Sequence, residues 1–146
     1  MILWRISRFR DLKGTGGLRA SGRWHHAGQP VVYLAESPSA ALLEVCVHTA
    51  ANDVPPAFTL LKIEGPELPI TEVSLPDLPD NWQLRLEITR ELGDAWLHRA
   101  ETALLHVPSA IVPATTNYLL NPLHADAAKL QIIDQIAYPF DARLKS

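Results

Sequence analysis

The sequence predicts a single α+β domain spanning residues 1–146, and three observations support this. A chain of 146 residues suits one core better than two thin ones. Hydrophobic residues make up 47% of the chain and charged residues 20%, so there is enough apolar material to bury a real core. Strand and helix patterns alternate without a strict βαβ repeat, which is typical of an α+β fold.

The first third of the chain predicts two strands separated by a long loop. Apolar residues 2–6 predict an edge strand, and the β-branched and aromatic run 31–35 predicts a second strand. Residues 10–29 between them are glycine-rich and polar. A loop of that length in a compact domain is either disordered or functional.

Ser37 and Pro38 begin the clearest predicted helix. Ser37 can accept hydrogen bonds from first-turn amides, and proline suits the first helical position, where its missing N–H costs nothing. We expect this helix to end near residue 49 or 50. Its residues are apolar almost all round, which predicts a largely buried helix.

The remaining elements follow from shorter patterns. Leu84 to Arg99 has apolar residues at 84, 88, 92, 96 and 97, the period of an amphipathic helix, with Gly93 as a candidate break. The other predicted elements are strands at 58–64, 70–74, 103–107, 110–112 and 130–138.

Charge and composition exclude several classes of function. A net charge of -3 provides no basic field for phosphate backbones, which argues against nucleic acid as a direct substrate. Cys46 is the only cysteine and the histidines lack ligand spacing, so we expect neither a disulfide nor a metal site. No apolar run is long enough for a signal peptide or a membrane span, which favours the cytoplasm.

Arg23 is the first candidate for a functional role. It follows a glycine-rich loop, where an arginine can bind a phosphate or carboxylate through two parallel hydrogen bonds. The glycines at 14–17 form neither a Walker loop nor a dinucleotide fingerprint. The loop by itself favours an ordinary surface arginine over a functional one.

Glu44 is the second candidate because it interrupts the apolar residues of the predicted helix. Ala40, Glu44 and His48 are spaced to share one face. A buried, unpaired carboxylate is costly, so Glu44 must face solvent, pair with a cation or line a cleft. An exposed Glu–His pair and a catalytic carboxylate both remain open.

Tyr33 and Ser109 have weaker local signals. Tyr33 lies in a strand just before the helix, and the junction of a strand and a helix is a common place for site residues, although strand tyrosines usually only pack. Ser109 lies between two strand-like segments, where a hydroxyl more often bonds nearby backbone. The chain has no Gly-x-Ser-x-Gly elbow to support a serine hydrolase.

The sequence resembles the RES domain family over nearly its whole length. Seven matching stretches occur in the expected order: WRI at 4–6, GRW at 22–24 with Gly28, VYLAES at 32–37, ALLEV at 41–45, LGDAWL at 92–97, VPSA at 107–110 and NYLLNP at 117–122. One departure is His25, at a position where many members have asparagine.

The resemblance implies a toxin of a toxin–antitoxin pair, with a Xre-type helix-turn-helix protein as antitoxin. It implies a mixed β-sheet core similar to ADP-ribosyltransferase toxins, with a cleft for NAD⁺. The associated activities are NAD⁺ hydrolysis or phosphorolysis, with water or phosphate as acceptor, and, for some members, ADP-ribosylation of a protein. A non-catalytic nucleotide-binding or partner-binding module is the remaining alternative.

The resemblance also implies roles for particular residues. Arg23, Glu44 and Ser109 would form the catalytic trio, with Arg23 also holding the NAD⁺ pyrophosphate. Glu44 would stabilise positive charge that develops on the ribose. Tyr33 would pack on the nicotinamide or its ribose, and Ser109 would bond the ribose or carboxamide. His48 is one helical turn from Glu44, and this spacing, not the resemblance, suggests that it borders the pocket.

Overall fold

The computed structural model describes residues 1–145, which contain seven β-strands and three α-helices. The strands are Ile2–Ile6 (β1), Val32–Ala35 (β2), Ala57–Glu64 (β3), Ile70–Glu72 (β4), Leu104–Pro108 (β5), Thr116–Leu120 (β6) and Gln131–Pro139 (β7). The helices are Thr15–Arg19 (α1), Pro38–His48 (α2) and Leu86–Arg99 (α3). No helix among the described residues is both long and apolar enough to span a membrane.

All seven strands form one mixed sheet in the order β4-β5-β6-β2-β1-β3-β7. Only β4 and β5 run parallel; every other neighbouring pair is antiparallel. This arrangement confirms the predicted α+β fold. The pairing of β1 with β2 is limited to Trp4 and Ala35, whereas β1 pairs with β3 along its whole length. The sheet therefore opens between β1 and β2.

The two faces of the sheet carry separate hydrophobic clusters because side chains alternate along each strand. Val32 and Leu34 of β2 belong to a cluster with Leu3 of β1. Val31, just before β2, packs in a second cluster with Trp96 of α3. Both faces of the sheet are thus covered around β2.

Helix α2 begins as predicted but is less buried than its composition suggests. The Ser37 Oγ accepts a hydrogen bond from the Ala40 amide at 3.1 Å, which satisfies one of the free first-turn donors. Ala40 and Ala41 pack against Ala35, whereas Val47 is 53% exposed. The expectation of a largely buried helix is wrong because α2 contacts the sheet along one side only.

Helix α3 is continuous through Gly93, so the candidate break at this residue is wrong. The predicted apolar face is also incorrect in part: Leu84 precedes the helix and is 83% exposed, and Leu92 is exposed too. The buried positions include Thr89, Gly93 and Trp96. Gly93 is where the helix touches the backbone of the loop before β2, and a Cβ there would overlap the carbonyl oxygen of Trp24.

Three other segments differ from the sequence prediction. The expected strand at 110–112 is bent, irregular backbone, and β6 was not predicted although it pairs with both β2 and β5. The loop at 10–29 is ordered and contains α1. Asparagine is depleted in strands, and Asn117 is the second residue of β6, which weakens the local strand signal.

We predict that Gly93→Ala destabilises the protein, because the added methyl group forces α3 away from the loop. Overpacking of this kind costs about 1–3 kcal/mol of unfolding free energy, and backbone contact leaves little room for relief. Urea denaturation would measure the change. Gly16→Ala is the matched control, since nothing lies within 4 Å of a Cβ at that helical position. Equal stability of Gly93→Ala and the wild type would contradict the packing described.

Candidate active site

A cleft of about 350 Å³ lies where the sheet opens between β1 and β2. Its volume is in the range of small-molecule sites. Its walls come from β1, the loop before β2, β2 itself, α2, and the ends of β5 and β6. The lining residues are Trp4, Arg5, Ile6, Ser21, Gly22, Arg23, Trp24, Tyr33, Leu34, Ala35, Ala41, Glu44, Val45, His48, Pro108, Ala110 and Asn117.

The structure brings four of the five predicted site residues to this cleft. Arg23, Tyr33, Glu44 and His48 all line it. Ser109 does not, although both of its neighbours in the chain do. The Ser109 hydroxyl accepts hydrogen bonds from the backbone amides of residues 111 and 112, at 3.1 and 3.2 Å. This is the local backbone contact that its sequence context favoured.

The Arg23 side chain is held at the cleft by two contacts. Its Nη1 donates to the Gln83 carbonyl at 3.0 Å, and its guanidinium carbon lies 6.0 Å from the centre of the Trp82 ring. Such a cation–π contact orients the planar group without neutralising its charge. A guanidinium has five N–H donors, so most of them remain for an anionic ligand in the cleft.

Helix α3 fixes the backbone on which Arg23 stands. The Thr89 hydroxyl donates to the Arg23 carbonyl at 2.5 Å, and Arg90 Nε donates to the Gly22 carbonyl at 2.8 Å. Thr89 is fully buried. These two side chains donate to carbonyls of a loop that is not part of a strand. The sequence did not identify Thr89 and Arg90 as residues that support the site.

Asp94 is a further contact between α3 and the loop. Its carboxylate accepts from the His26 backbone amide at 3.0 Å and lies 2.6 Å from His26 Nδ1. The available sequence signal was the spacing of Arg90 and Asp94, which are one turn apart and point to the same side. The prediction used only the spacing of the apolar residues in this helix, so it missed the polar face that contains Arg90 and Asp94.

His25 and Tyr33 hold the other side of the loop. His25 Nε2 lies 3.1 Å from the Gly17 carbonyl, and Nδ1 lies 2.8 Å from the Tyr33 hydroxyl, which accepts from the Trp24 amide at 3.1 Å. A carbonyl only accepts, so Nε2 carries the proton and Nδ1 accepts from Tyr33. Burial lowers the pKa of His25 and raises the pKa of Tyr33, so both stay neutral.

The Glu44 carboxylate is both paired and open to the cleft. Asn117 Nδ2 donates to Oε1 at 2.9 Å, and His48 Nε2 lies 3.5 Å from Oε2. The Glu44 side chain remains 33% exposed. The predicted Glu–His pair therefore coexists with a cleft-lining carboxylate. Asn117 was missed as a site residue because it lies on the strand that was not predicted.

Arg5 of β1 provides a second guanidinium on the cleft wall. Its Nη1 donates to the Asp11 carbonyl over 3.4 Å, a long contact, and no carboxylate lies within 4.0 Å of it among residues 1–145. Burial lowers the pKa of Arg5, and the negative charge of Asp11 partly offsets this effect.

The described residues contain no cluster of three or more His, Cys, Asp or Glu side chains that could hold a metal ion.

The mixed sheet, with a cleft at the point where it opens, defines an α+β protein with a candidate small-molecule site. The sequence model of the RES domain family matches residues 2–141, and the chain belongs to that family. The chain is 53% identical over 138 residues to "Toxin Res" of Pseudomonas putida, covering 92% of this chain and 94% of the relative. These matches confirm the predicted RES-type toxin.

Two further relatives extend the comparison. The "Prs ADP-ribosylating toxin" of a Sphingobium species is 37% identical over 152 residues, covering 97% of this chain and 94% of the relative. A chain in the crystal structure of the M. tuberculosis MbcT–MbcA toxin–antitoxin complex superposes with a TM-score of 0.75 at 22% identity. That match covers 94% of this chain and 84% of the other, and it supports the fold.

We predict that His25 makes stability depend on pH. The folded protein keeps His25 neutral, whereas the unfolded chain binds a proton as the pH falls below about 6.5. The unfolding free energy should therefore fall between pH 7 and 5. His25→Asn should lower stability at pH 7 but lose less of it on acidification, as urea denaturation at both pH values would measure.

The control for this prediction is His98→Asn, which replaces an exposed histidine of α3. This variant should follow the wild type at both pH values. If His25→Asn and the wild type lose stability in parallel on acidification, the neutral, buried state described for His25 is wrong.

Proposed function

We propose that this protein cleaves the bond between nicotinamide and ribose in NAD⁺, and thereby depletes the cell of NAD⁺ and arrests growth. The observation that carries the proposal is the charge pattern of the cleft. The Glu44 carboxylate and the guanidinium groups of Arg5 and Arg23 all line the cleft, together with aromatic side chains. NAD⁺ has the complementary pattern, because its diphosphate is anionic and its nicotinamide riboside end is cationic.

The chemistry of this cleavage needs a negative charge more than a proton donor. Breaking the glycosidic bond creates an oxocarbenium-like transition state on the ribose. Nicotinamide is cationic before cleavage and leaves as a neutral molecule, so no general acid is required. Glu44 would accept a hydrogen bond from a ribose hydroxyl and stabilise the developing positive charge.

The other cleft residues would bind and orient the dinucleotide. Arg23 would hold the pyrophosphate through charge-assisted hydrogen bonds, with Arg5 as a second cation nearby. The Tyr33 ring would pack on the nicotinamide or its ribose, and His48 would border the pocket beside Glu44. Ser109 could bond the ribose or carboxamide only if its hydroxyl left the backbone amides that it now caps.

The acceptor of the ADP-ribosyl group would be water or inorganic phosphate. Transfer to a protein side chain is the second candidate, favoured by the name of the Sphingobium relative, an ADP-ribosylating toxin. Labelled NAD⁺ incubated with the protein and a cell lysate distinguishes these reactions. Label fixed to one protein band indicates transfer, whereas free ADP-ribose or its phosphate indicates hydrolysis or phosphorolysis.

The proposed activity also requires a partner. An enzyme that consumes NAD⁺ in the cytoplasm must be silenced in its own cell, so we include a Xre-type helix-turn-helix antitoxin that covers the cleft. The structural similarity to a chain of a toxin–antitoxin complex supports this part of the proposal. Co-expression should restore growth and suppress NAD⁺ loss together.

Glu44→Gln tests the central role most sharply, because it keeps the shape of the side chain and removes its charge. We expect turnover to fall on the order of 10²- to 10³-fold, the usual cost of losing one electrostatic stabiliser of a transition state. Nicotinamide release by the purified variant measures this. Glu91→Gln, an exposed carboxylate on α3, is the matched control and should keep wild-type turnover. Near-normal turnover of Glu44→Gln would refute the role.

A further inference from the structure

Asn117 lies on an interior strand of the sheet, beside the cleft. In β6 it pairs with Ala35 of β2 on one side and with Val107 of β5 on the other. Its side chain lines the cleft and crosses to α2, where Nδ2 donates to Glu44 Oε1 at 2.9 Å. An interior strand, paired on both sides, thus contacts the one carboxylate that lines the cleft among the described residues.

The orientation of the Asn117 amide is fixed by Glu44. A carboxylate only accepts hydrogen bonds, so the amide must direct its NH₂ group towards Glu44 and its oxygen away. That oxygen, Oδ1, is buried and has no hydrogen-bond partner among the described residues. An unpaired buried acceptor costs stability, and such a group in a folded protein calls for an explanation.

We propose that Asn117 is a positioning residue, which holds Glu44 Oε1 in place and leaves Oε2 directed towards the cleft and His48. This inference rests on the proposed function, in which Glu44 stabilises charge on the ribose. The second contact of Glu44, with His48 Nε2 at 3.5 Å, is longer and involves a side chain that is 69% exposed. Asn117 is therefore the stronger constraint on the carboxylate.

The Asn117→Asp variant separates positioning from a purely structural role. It preserves the shape of the side chain but places two carboxyl groups within hydrogen-bond distance, where they share a proton. The other charged or titratable side chains on the cleft wall are Arg5 of β1, Arg23 of the loop, Tyr33 of β2 and His48 of α2. All four of these residues are the same in the wild type and in Asn117→Asp. A shift of the pH profile is therefore due to the pair of carboxyl groups at positions 44 and 117.

The experiment measures nicotinamide release from NAD⁺ against pH for the wild type and Asn117→Asp. We expect the acid limb of the Asn117→Asp profile to move to higher pH by about one unit or more. We expect kcat at neutral pH to fall on the order of 10-fold or more, with little change in KM, because Glu44 is displaced rather than the binding groups. Asn81→Asp, at an exposed position outside the cleft, should keep the wild-type profile.

A second variant, Asn117→Leu, keeps the test independent of the introduced charge. It removes both the donor to Glu44 and the unpaired acceptor, so its thermal midpoint should equal or exceed that of the wild type. Its kcat should still fall on the order of 10- to 100-fold. A structural role predicts the reverse, a lower midpoint with normal kcat in the folded protein.

The outcomes distinguish failure of the positioning role of Asn117 from failure of the proposed NAD⁺ cleavage. Wild-type kcat and an unshifted pH profile in both Asn117 variants would overturn the positioning role and leave the proposed NAD⁺ cleavage intact. A wild-type protein that releases no nicotinamide would overturn the proposed function, and the positioning role with it.

Discussion

The loop at residues 22–26 has almost no regular strand partner, and the site depends on how its backbone is held. Buried backbone carbonyls and amides need hydrogen-bond partners, and here side chains supply them. Thr89 and Arg90 of α3 donate to two loop carbonyls, while the Tyr33 hydroxyl accepts from a loop amide. Gly93 allows this close approach because it has no side chain at the contact. Arg23 reaches the cleft from a backbone fixed on both sides.

The carboxylate is held by a separate set of contacts. Ser37 caps the start of α2, and Asn117 connects Glu44 to β6, an interior strand of the sheet. Positive and negative groups therefore reach the cleft from independent elements that meet only through the fold. A binding site assembled in this way keeps its charges in place before a ligand arrives, which is the condition for electrostatic stabilisation of a transition state.

Local sequence patterns predicted the parts of the site that depend on local structure. The cap and proline predicted where α2 begins, and the carboxylate within its apolar residues pointed to Glu44. The glycine-rich loop drew attention to Arg23, although the family resemblance supplied most of that argument. The local preference of Ser109 for nearby backbone amides also matches its contacts in the structure.

The rest depends on contacts between residues far apart in the chain. Asn117 meets Glu44 across 73 positions, and Thr89 meets the Arg23 carbonyl across 66. The periodicity of side chains predicts one helix or strand at a time, and it does not indicate which distant residues contact that element. Gly93 illustrates the same limit: a glycine inside a helix suggests a break, until the backbone packed against it is known.

Nicotinamide release from NAD⁺ by the purified protein, with and without inorganic phosphate, tests the central claim most directly. The account predicts sustained release over many turnovers, and the second product, ADP-ribose or its phosphate, identifies the acceptor. NAD⁺ that remains intact under both conditions and also in the presence of a cell lysate would contradict the account.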